Sequence, residues 1–306
     1  MKVRWMTTLE NQFGDAFAMN YPLAPHTTFK IGGAAQGFLV VTSETQLVSA
    51  LTTLLEENVP FLVLGKGANL IFSDSGFKGL VIQLKGEFEE IKITHHDEEN
   101  VFLEAGAGVE MSRLLNYTAR AGFKGLEPLT GIPATVGGAI RMNAGIPSFT
   151  ISEALTSVVC LTHTLSTVRI GIQDLSPSYR SLNLPDRWII LRATFKLRKG
   201  SPETVRKEME AYRNKRTSQR WRKFPSAGSI FKNPKGKYAG QLIESCGFKG
   251  YKIGDAQVSP DHANVIVNLG NARAKDVLRL IDLIQKRVFE KTGIHLEPEV
   301  VIAEEG

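Results

Sequence analysis

The chain has 306 residues, 42% hydrophobic and 22% charged, enough for two or three buried cores and unlike a disordered or fibrous composition. It has no long apolar run, and its start, Met1-Lys2-Val3-Arg4-Trp5-Met6, lacks the continuous apolar stretch of a secretory leader, so we expect a cytoplasmic, non-membrane protein. Cys160 and Cys246 form no CxxC pair, and His26, His95, His96, His163, His262 and His295 show no metal-ligand spacing, which argues against disulfide and metal chemistry.

The formal net charge of +6 points to an anionic partner, either nucleic acid or a phosphorylated small molecule. Phe38-Leu39-Val40-Val41 reads as a strand. Ser43-Glu44-Thr45-Gln46 then matches a capping box, and Leu47, Leu51, Leu54 and Leu55 share one helical face. Phe61 to Leu64 is a short strand that empties into Gly65-Lys66-Gly67-Ala68-Asn69, after which Leu70-Ile71-Phe72 resumes the apolar pattern. A glycine loop at a strand end can set bare N–H groups against phosphate. Strands at 80–84, 91–93 and 101–105 precede a helix over 109–121.

The passage from Gly131 to Gly145 holds too many helix breakers for one regular element, so we expect a structured loop with a short helical piece. Gly137-Gly138 would admit a flat or anionic ligand against the backbone, or equally let one backbone pack on another. Two such passages in one α/β region favour a nucleotide-type cofactor. A strongly apolar strand over 188–196 follows. Ser201-Pro202 then starts a basic helix over 203–219, within a run from Arg198 to Lys223 that includes Arg206, Lys207, Arg213, Lys215, Arg216, Arg220 and Arg222. That run reads either as a solvated face or as an anion-binding surface, with Tyr212 and Trp221 available for stacking on nucleic acid.

From Pro225 to Pro234, two hydroxyls, a lysine and an amide stand beside a glycine between prolines. The segment reads as a shaped loop aiming short polar groups, or as an ordinary turn capping a helix. Helices over 238–246 and 272–291 follow, the second with Val277, Leu280, Ile281, Ile284 and Val288 on one face. Strands over 263–269 and at the apolar end of 296–302 complete the pattern. Both cysteines read as small core residues.

Seven motifs in order resemble the UDP-N-acetylenolpyruvoylglucosamine reductase (MurB) family over nearly the whole chain. They are Thr27 to Gly33, Gly65 to Asn69, Gly131 to Gly145, Ser178-Tyr179-Arg180-Ser181, Pro225 to Pro234, Gly254-Asp255-Ala256-Gln257-Val258 and Leu296 to Val300. Only Ser181 to Arg187 separate Arg180 from the strand at Trp188, which matches the loop-lacking type II branch, so no tyrosine lid is carried over. Ala68 and Ala134 depart mildly from the family pattern, standing where serine and glycine are common.

The resemblance implies an α+β fold: an N-terminal extension at 1–20, then an FAD-binding domain at 21–198 of the PCMH or vanillyl-alcohol-oxidase-like kind, made of two α/β subdomains. A C-terminal α+β substrate-binding domain would follow at 199–306, its final strand docking back on the FAD domain. It also implies an NADPH-dependent reductase that makes UDP-N-acetylmuramate for peptidoglycan, with hydride passing from FAD N5 to the vinyl carbon. Its partners would be the UDP-sugar substrate and NADPH, with neither nucleic acid nor membrane.

Carried over residue by residue, Ser229 protonates the enolate carbon, Arg180 stabilises the enolate carboxylate, and Glu299 shares that task if protonated. Tyr179, Arg180, Lys232 and Asn233 would contact substrate, Lys232 being the cation nearest Ser229 in sequence. FAD would lie on Gly65, Lys66, Gly67, Ala68, Asn69, Gly131, Thr135, Gly137, Gly138, Asn143 and Gly145. With no histidine at 65–69, the flavin is expected to be non-covalent. The rivals are another flavin oxidase or dehydrogenase of this fold, and a nucleic-acid-binding protein using 198–223. Segments 225–234 and 296–300 lie outside the cofactor motifs and favour the reductase.

Overall fold

The structure is a computed structural model that describes residues 3–303; residues 1–2 and 304–306, at the ends of the expected N-terminal extension and C-terminal domain, lie outside the described residues. In chain order the elements are α1 (Arg4–Phe13), β1 (Phe17–Pro22), β2 (Ala34–Val41), α2 (Glu44–Glu56), β3 (Phe61–Val63), β4 (Leu70–Phe72), β5 (Phe77–Leu84), β6 (Ile91–His96) and β7 (Asn100–Gly106). Next come α3 (Met111–Ala121), β8 (Phe123–Lys124), α4 (Val136–Arg141), β9 (Gly145–Ile146), β10 (Phe149–Thr150), β11 (Leu155–Leu161), β12 (Thr167–Gly171) and β13 (Ile189–Lys199). The chain closes with α5 (Pro202–Thr217), β14 (Ser226–Ser229), α6 (Ala239–Ser245), β15 (Lys252–Ile253), β16 (Ala256–Val258), β17 (Val265–Asn268), α7 (Ala274–Thr292) and β18 (Val301–Ala303).

These elements form two compact units, each built from separate stretches of chain. The first takes the chain up to Ala18, Leu39–Gly65 and Val81–Arg216; the second takes Met19–Phe38, Lys66–Leu80 and the chain from Thr217 on. The expected boundary at 198/199 follows the chain, whereas these units do not, because β1, β2 and β5 each begin in one and end in the other.

In the first unit an antiparallel sheet runs β12-β11-β13-β7-β6, with β8 on the end of β13. Ser43 opens α2 as expected, its Oγ accepting from the Gln46 N–H at 3.2 Å. The return contact of Gln46 goes to the Thr42 N–H at 2.8 Å, one residue earlier than a capping box requires. Leu47, Leu51 and Leu54 are buried, whereas Leu55 is 38% exposed, being one step of about 100° off the face set by its neighbours.

In the second unit the sheet order is β14-β17-β16-β15. Val277, Leu280, Ile281, Ile284 and Val288 of α7 are buried as their spacing predicts, in one cluster with Phe231, Val258 and Ile266. Asp74 caps α7, its carboxylate accepting from the Ala274 and Lys275 N–H groups at 2.8 and 3.0 Å. The Pro225–Pro234 segment is not simply a loop. Ser226 and Ser229 pair with Val267 and Val265, and the register shifts between them at Gly228, whose φ is +75°. It is a bulged edge strand, a device that re-aims a side chain. At the end of the chain, residues 297–299 bond to 230–232, and the strand proper starts only at Val301, parallel to β4.

Candidate functional site

In the first unit the two glycine passages meet at Gly65 and Thr135. Thr135 is the N-cap of α4, its Oγ1 accepting from the Gly138 N–H at 3.3 Å. A Cβ on Gly65 would lie 2.6 Å from that same Oγ1, so glycine lets the Thr135 side chain pack directly on the Gly65 backbone. Gly137 and Gly145 serve packing: added Cβ atoms would fall 2.9 Å from the Ala107 Cβ and 2.1 Å from the Phe149 carbonyl oxygen. Gly131 and Gly138 are exposed, and nothing lies nearer to a Cβ at Gly138 than Thr135 Oγ1 at 3.5 Å. Asn143 is buried at a φ of +39°, its amide donating to the Ser178 carbonyl at 3.0 Å and accepting from the Ser152 N–H at 3.3 Å.

Tyr179 and Arg180 form the tip of a turn closed by Ser178 and Ser181, whose backbones exchange hydrogen bonds of 2.9 and 3.2 Å. Arg180 has a φ of +61°, and its guanidinium stands 5.0 Å from the centroid of the exposed Tyr179 ring. A second arginine lies close by. Arg216, in the last turn of α5, is half-buried, and burial together with the Arg180 charge holds its guanidinium below the usual arginine range. Its Cδ would be 2.9 Å from a Cβ on Gly131, and no carboxylate pairs with it among the described residues.

In the second unit, Gly67 (φ +58°) packs on the Thr27–Thr28 motif. A Cβ there would lie 2.5 Å from the His26 carbonyl oxygen, and the Gly67 carbonyl accepts from the Thr28 N–H at 3.1 Å. Lys66 is exposed and Ala68 half-buried. The Asn69 amide donates to the Glu299 carbonyl at 2.9 Å, and the Glu299 N–H donates to the Ile230 carbonyl at 2.7 Å, which sets Glu299 and Asn69 beside the neighbour of Ser229.

Ser229 opens on a cleft of about 370 Å³ that is also lined by Asn233, Tyr238, Lys249, His262 and Asn264. Asn233 Oδ1 accepts from the Ala239 N–H at 2.9 Å. Lys232 does not line this cleft: its ammonium pairs with Glu297 and its N–H donates to the Glu297 carbonyl. The lysine that shares the cleft with Ser229 is Lys249, whose Nζ also pairs with Glu244 at 2.7 Å. Although much of His262 is exposed, desolvation of its ring beside Trp221, then the Lys249 and Arg222 charges, hold its pKa below the ordinary histidine value. Lys249, His262 and Tyr238 were missed from sequence because nothing in their immediate neighbours sets them apart; Arg216 was named only as one of a basic run, in which it and Arg222 are half-buried.

Elsewhere, Cys160 is buried and its thiol pushed up to about 11 by desolvation, whereas Cys246 is half-buried at the edge of the second unit's core. Among the described residues no group of His, Cys, Asp and Glu could hold a metal ion, and no helix is long and apolar enough to cross a membrane.

Exposed backbone at Gly138, and the close approach of Gly65 to the Thr135 side chain, fit a cradle for a flat anionic cofactor. Residues 35–170 match the FAD binding domain family, and the protein is therefore a flavoprotein with FAD as cofactor. Residues 219–303 match the UDP-N-acetylenolpyruvoylglucosamine reductase C-terminal domain.

A reductase of that name from Syntrophobacter fumaroxidans is 42% identical over 94% of this chain and 83% of its own length. Another, from Rubrobacter xylanophilus, is 40% identical over 97% of this chain and 98% of its own. The crystal structure of the Thermus caldophilus enzyme superposes with a TM-score of 0.79 at 37% identity, covering 94% of this chain and 98% of that one. The chain belongs to the UDP-N-acetylenolpyruvoylglucosamine reductase family. It is an α+β oxidoreductase of peptidoglycan synthesis, and neither the oxidase reading nor the nucleic-acid reading of residues 198–223 is favoured.

Proposed function

We propose that this chain reduces the enolpyruvyl UDP-sugar in the cytoplasm with NADPH as electron source, and that Ser229 delivers the proton. FAD, when bound along the glycine passages at 65–69 and 131–145, supplies the hydride for the vinyl carbon. The observation that carries the serine role is its place in the lining of a cleft shared with Lys249 and His262.

A serine hydroxyl is a weak acid, so giving up its proton leaves an alkoxide that needs a nearby positive charge or hydrogen-bond donor. Lys232 is held by Glu297, and Lys249 is the cation in place to do this. The Glu244 pairing and solvent weaken the field that the Lys249 charge sets up in the cleft. A neutral His262 imidazole adds a donor without a proton to lose at working pH.

Arg180 offers a planar fork to the substrate carboxylate, where negative charge grows as the enolate forms. Arg216, close enough to feel its charge, raises the positive potential there. Glu299, Tyr179 and Asn233 are further substrate contacts in this reading.

The test is NADPH oxidation with and without the enolpyruvyl UDP-sugar, followed by the two half-reactions of Ser229→Ala. Flavin bleaching by NADPH should be nearly intact and its reoxidation by substrate blocked. Equal loss in both half-reactions removes Ser229 as proton donor.

A further inference from the structure

We propose that Arg141 is a positioning residue for Arg180, holding the segment that follows it and tying its placement to the order of the 131–145 glycine passage. The inference rests on the reading above that Arg180 meets the substrate carboxylate.

Between the short helical turn Ile172–Asp174 and β13 the chain has no regular helix or strand, and Arg180 sits in the middle of this stretch. A positive φ is uncommon for a residue with a long side chain, and such a conformation persists only where its surroundings over-determine it. The Ser178–Ser181 turn alone is a small clamp. Asn183 adds local bonds to Ser176 and Ser181, and further restraint from outside the segment comes from the end of α4.

Asn143 holds the near side, its amide donating to the Ser178 carbonyl at 3.0 Å, two residues before Arg180. Arg141 holds the far side. One nitrogen of its guanidinium donates to the Leu184 and Pro185 carbonyls at 3.3 and 3.1 Å, and another donates to the Trp188 carbonyl. Arg141 is largely desolvated, which lowers its pKa, and no carboxylate forms an ion pair with it among the described residues. Its donors go to backbone oxygens instead. Three carbonyls spread over five residues need a planar, forked donor, which lysine cannot supply.

The same short helix begins at Thr135, against Gly65, and ends at Arg141. One rigid piece therefore touches the first glycine passage at its start and restrains the Arg180 segment at its end. Ordering the passage around FAD then also orders Arg180, with no contact between Arg141 and the reacting atoms.

The experiment uses the FAD-loaded enzyme with Arg141→Met and Arg141→Lys, beside Arg180→Lys as a control. In Arg141→Met, flavin reduction by NADPH should stay within about twofold of the parent, and reoxidation by the enolpyruvyl UDP-sugar should weaken about ten- to a hundred-fold, mostly in KM. Amide hydrogen exchange across residues 176–188 should accelerate while β11 is unchanged, and in the parent enzyme FAD removal should accelerate the same peptide. Arg141→Lys should recover little.

Equal losses in both half-reactions, or unchanged exchange at 176–188, overturn the proposal. A slow reoxidation in Arg180→Lys beside a normal Arg141→Met sinks the Arg141 role and leaves the Arg180 reading standing. Normal reoxidation in Arg180→Lys removes that reading, and faster exchange in Arg141→Met then still supports the restraint. If Arg141→Met does not fold, the same exchange measurement on Arg141→Lys decides.

Discussion

Gly65→Ala is the sharpest probe of the flavin passages, because its obstacle is one named atom. Gly65 is not among the positive-φ glycines, so alanine keeps the backbone conformation. The new Cβ would lie 2.6 Å from Thr135 Oγ1 but 3.4 and 3.5 Å from the Thr135 Cγ2 and Cβ, so the serious overlap is with the hydroxyl. Relief requires either that Thr135 turn about χ1 or that a backbone shift. Turning withdraws Oγ1 from the Gly138 N–H, and losing an N-cap costs about 1 kcal/mol. A shift to accommodate an extra methyl costs about 1–3 kcal/mol.

The smaller cost sets the expectation: about 1–2 kcal/mol, or about a five- to thirty-fold rise in the Kd for FAD. Thr135→Ala removes the obstacle and loses the cap by itself. The double variant should therefore cost little more than Thr135→Ala alone, a coupling of about 1 kcal/mol. FAD titration by fluorescence, with thermal unfolding of the same four proteins, measures the cycle. Losses that add within about 0.3 kcal/mol refute the reasoning, since the penalty would then not lie between these two residues.

Arg180→Lys keeps the charge and loses the fork, so turnover should fall about ten- to a hundred-fold; near-normal turnover removes Arg180 from the site. Asp74→Ala removes the acceptor of the Ala274 and Lys275 N–H groups at the α7 N-terminus and should cost about 1–2 kcal/mol, whereas Asp74→Asn, which keeps an acceptor, should lose less, so an equal fall in melting temperature for both contradicts the capping account. Burial alone would raise the pKa of Glu104, but hydrogen bonds from Lys92 at 3.1 Å and Arg169 at 3.2 Å outweigh it and hold the carboxyl below the usual range. A pKa lower in the folded state means stability present above the unfolded-state value and lost as pH falls through the folded one. Urea midpoints should therefore drop more steeply on acidification in the parent than in Glu104→Gln, and parallel curves would contradict this.

Long periodic segments were legible because one physical rule governs them. The buried face of α7 and the strand–helix pair β2–α2 follow from spacing alone. β14 was not legible, since Ser-Ala-Gly-Ser has little intrinsic preference for a strand and becomes one only by pairing with β17 across a bulge. α1 escaped because its N-cap is Val3, which offers no capping hydroxyl or carboxylate. At the site, Lys232 is the cation nearest Ser229 in sequence, but its ammonium pairs with Glu297, and Lys249 reaches the Ser229 cleft from well down the chain. The individual site residues were reached through ordered motifs, and their contacts required the fold.

The basic run on α5 shows why charge alone could not choose between its two readings. Arg206, Lys207, Arg213 and Lys215 are exposed, as a solvated face would be, and the buried residues of the helix are Val205 and Met209. Arg216 differs in its surroundings only: it packs over Gly131, donates weakly to the Pro128 carbonyl at 3.5 Å, and lies near a second guanidinium. Partial burial and the Arg180 charge both disfavour the charged form of Arg216. On α5 the run is therefore a solvated face until the last turn, where Arg216 alone is half-buried beside another guanidinium, a division that net charge does not reveal.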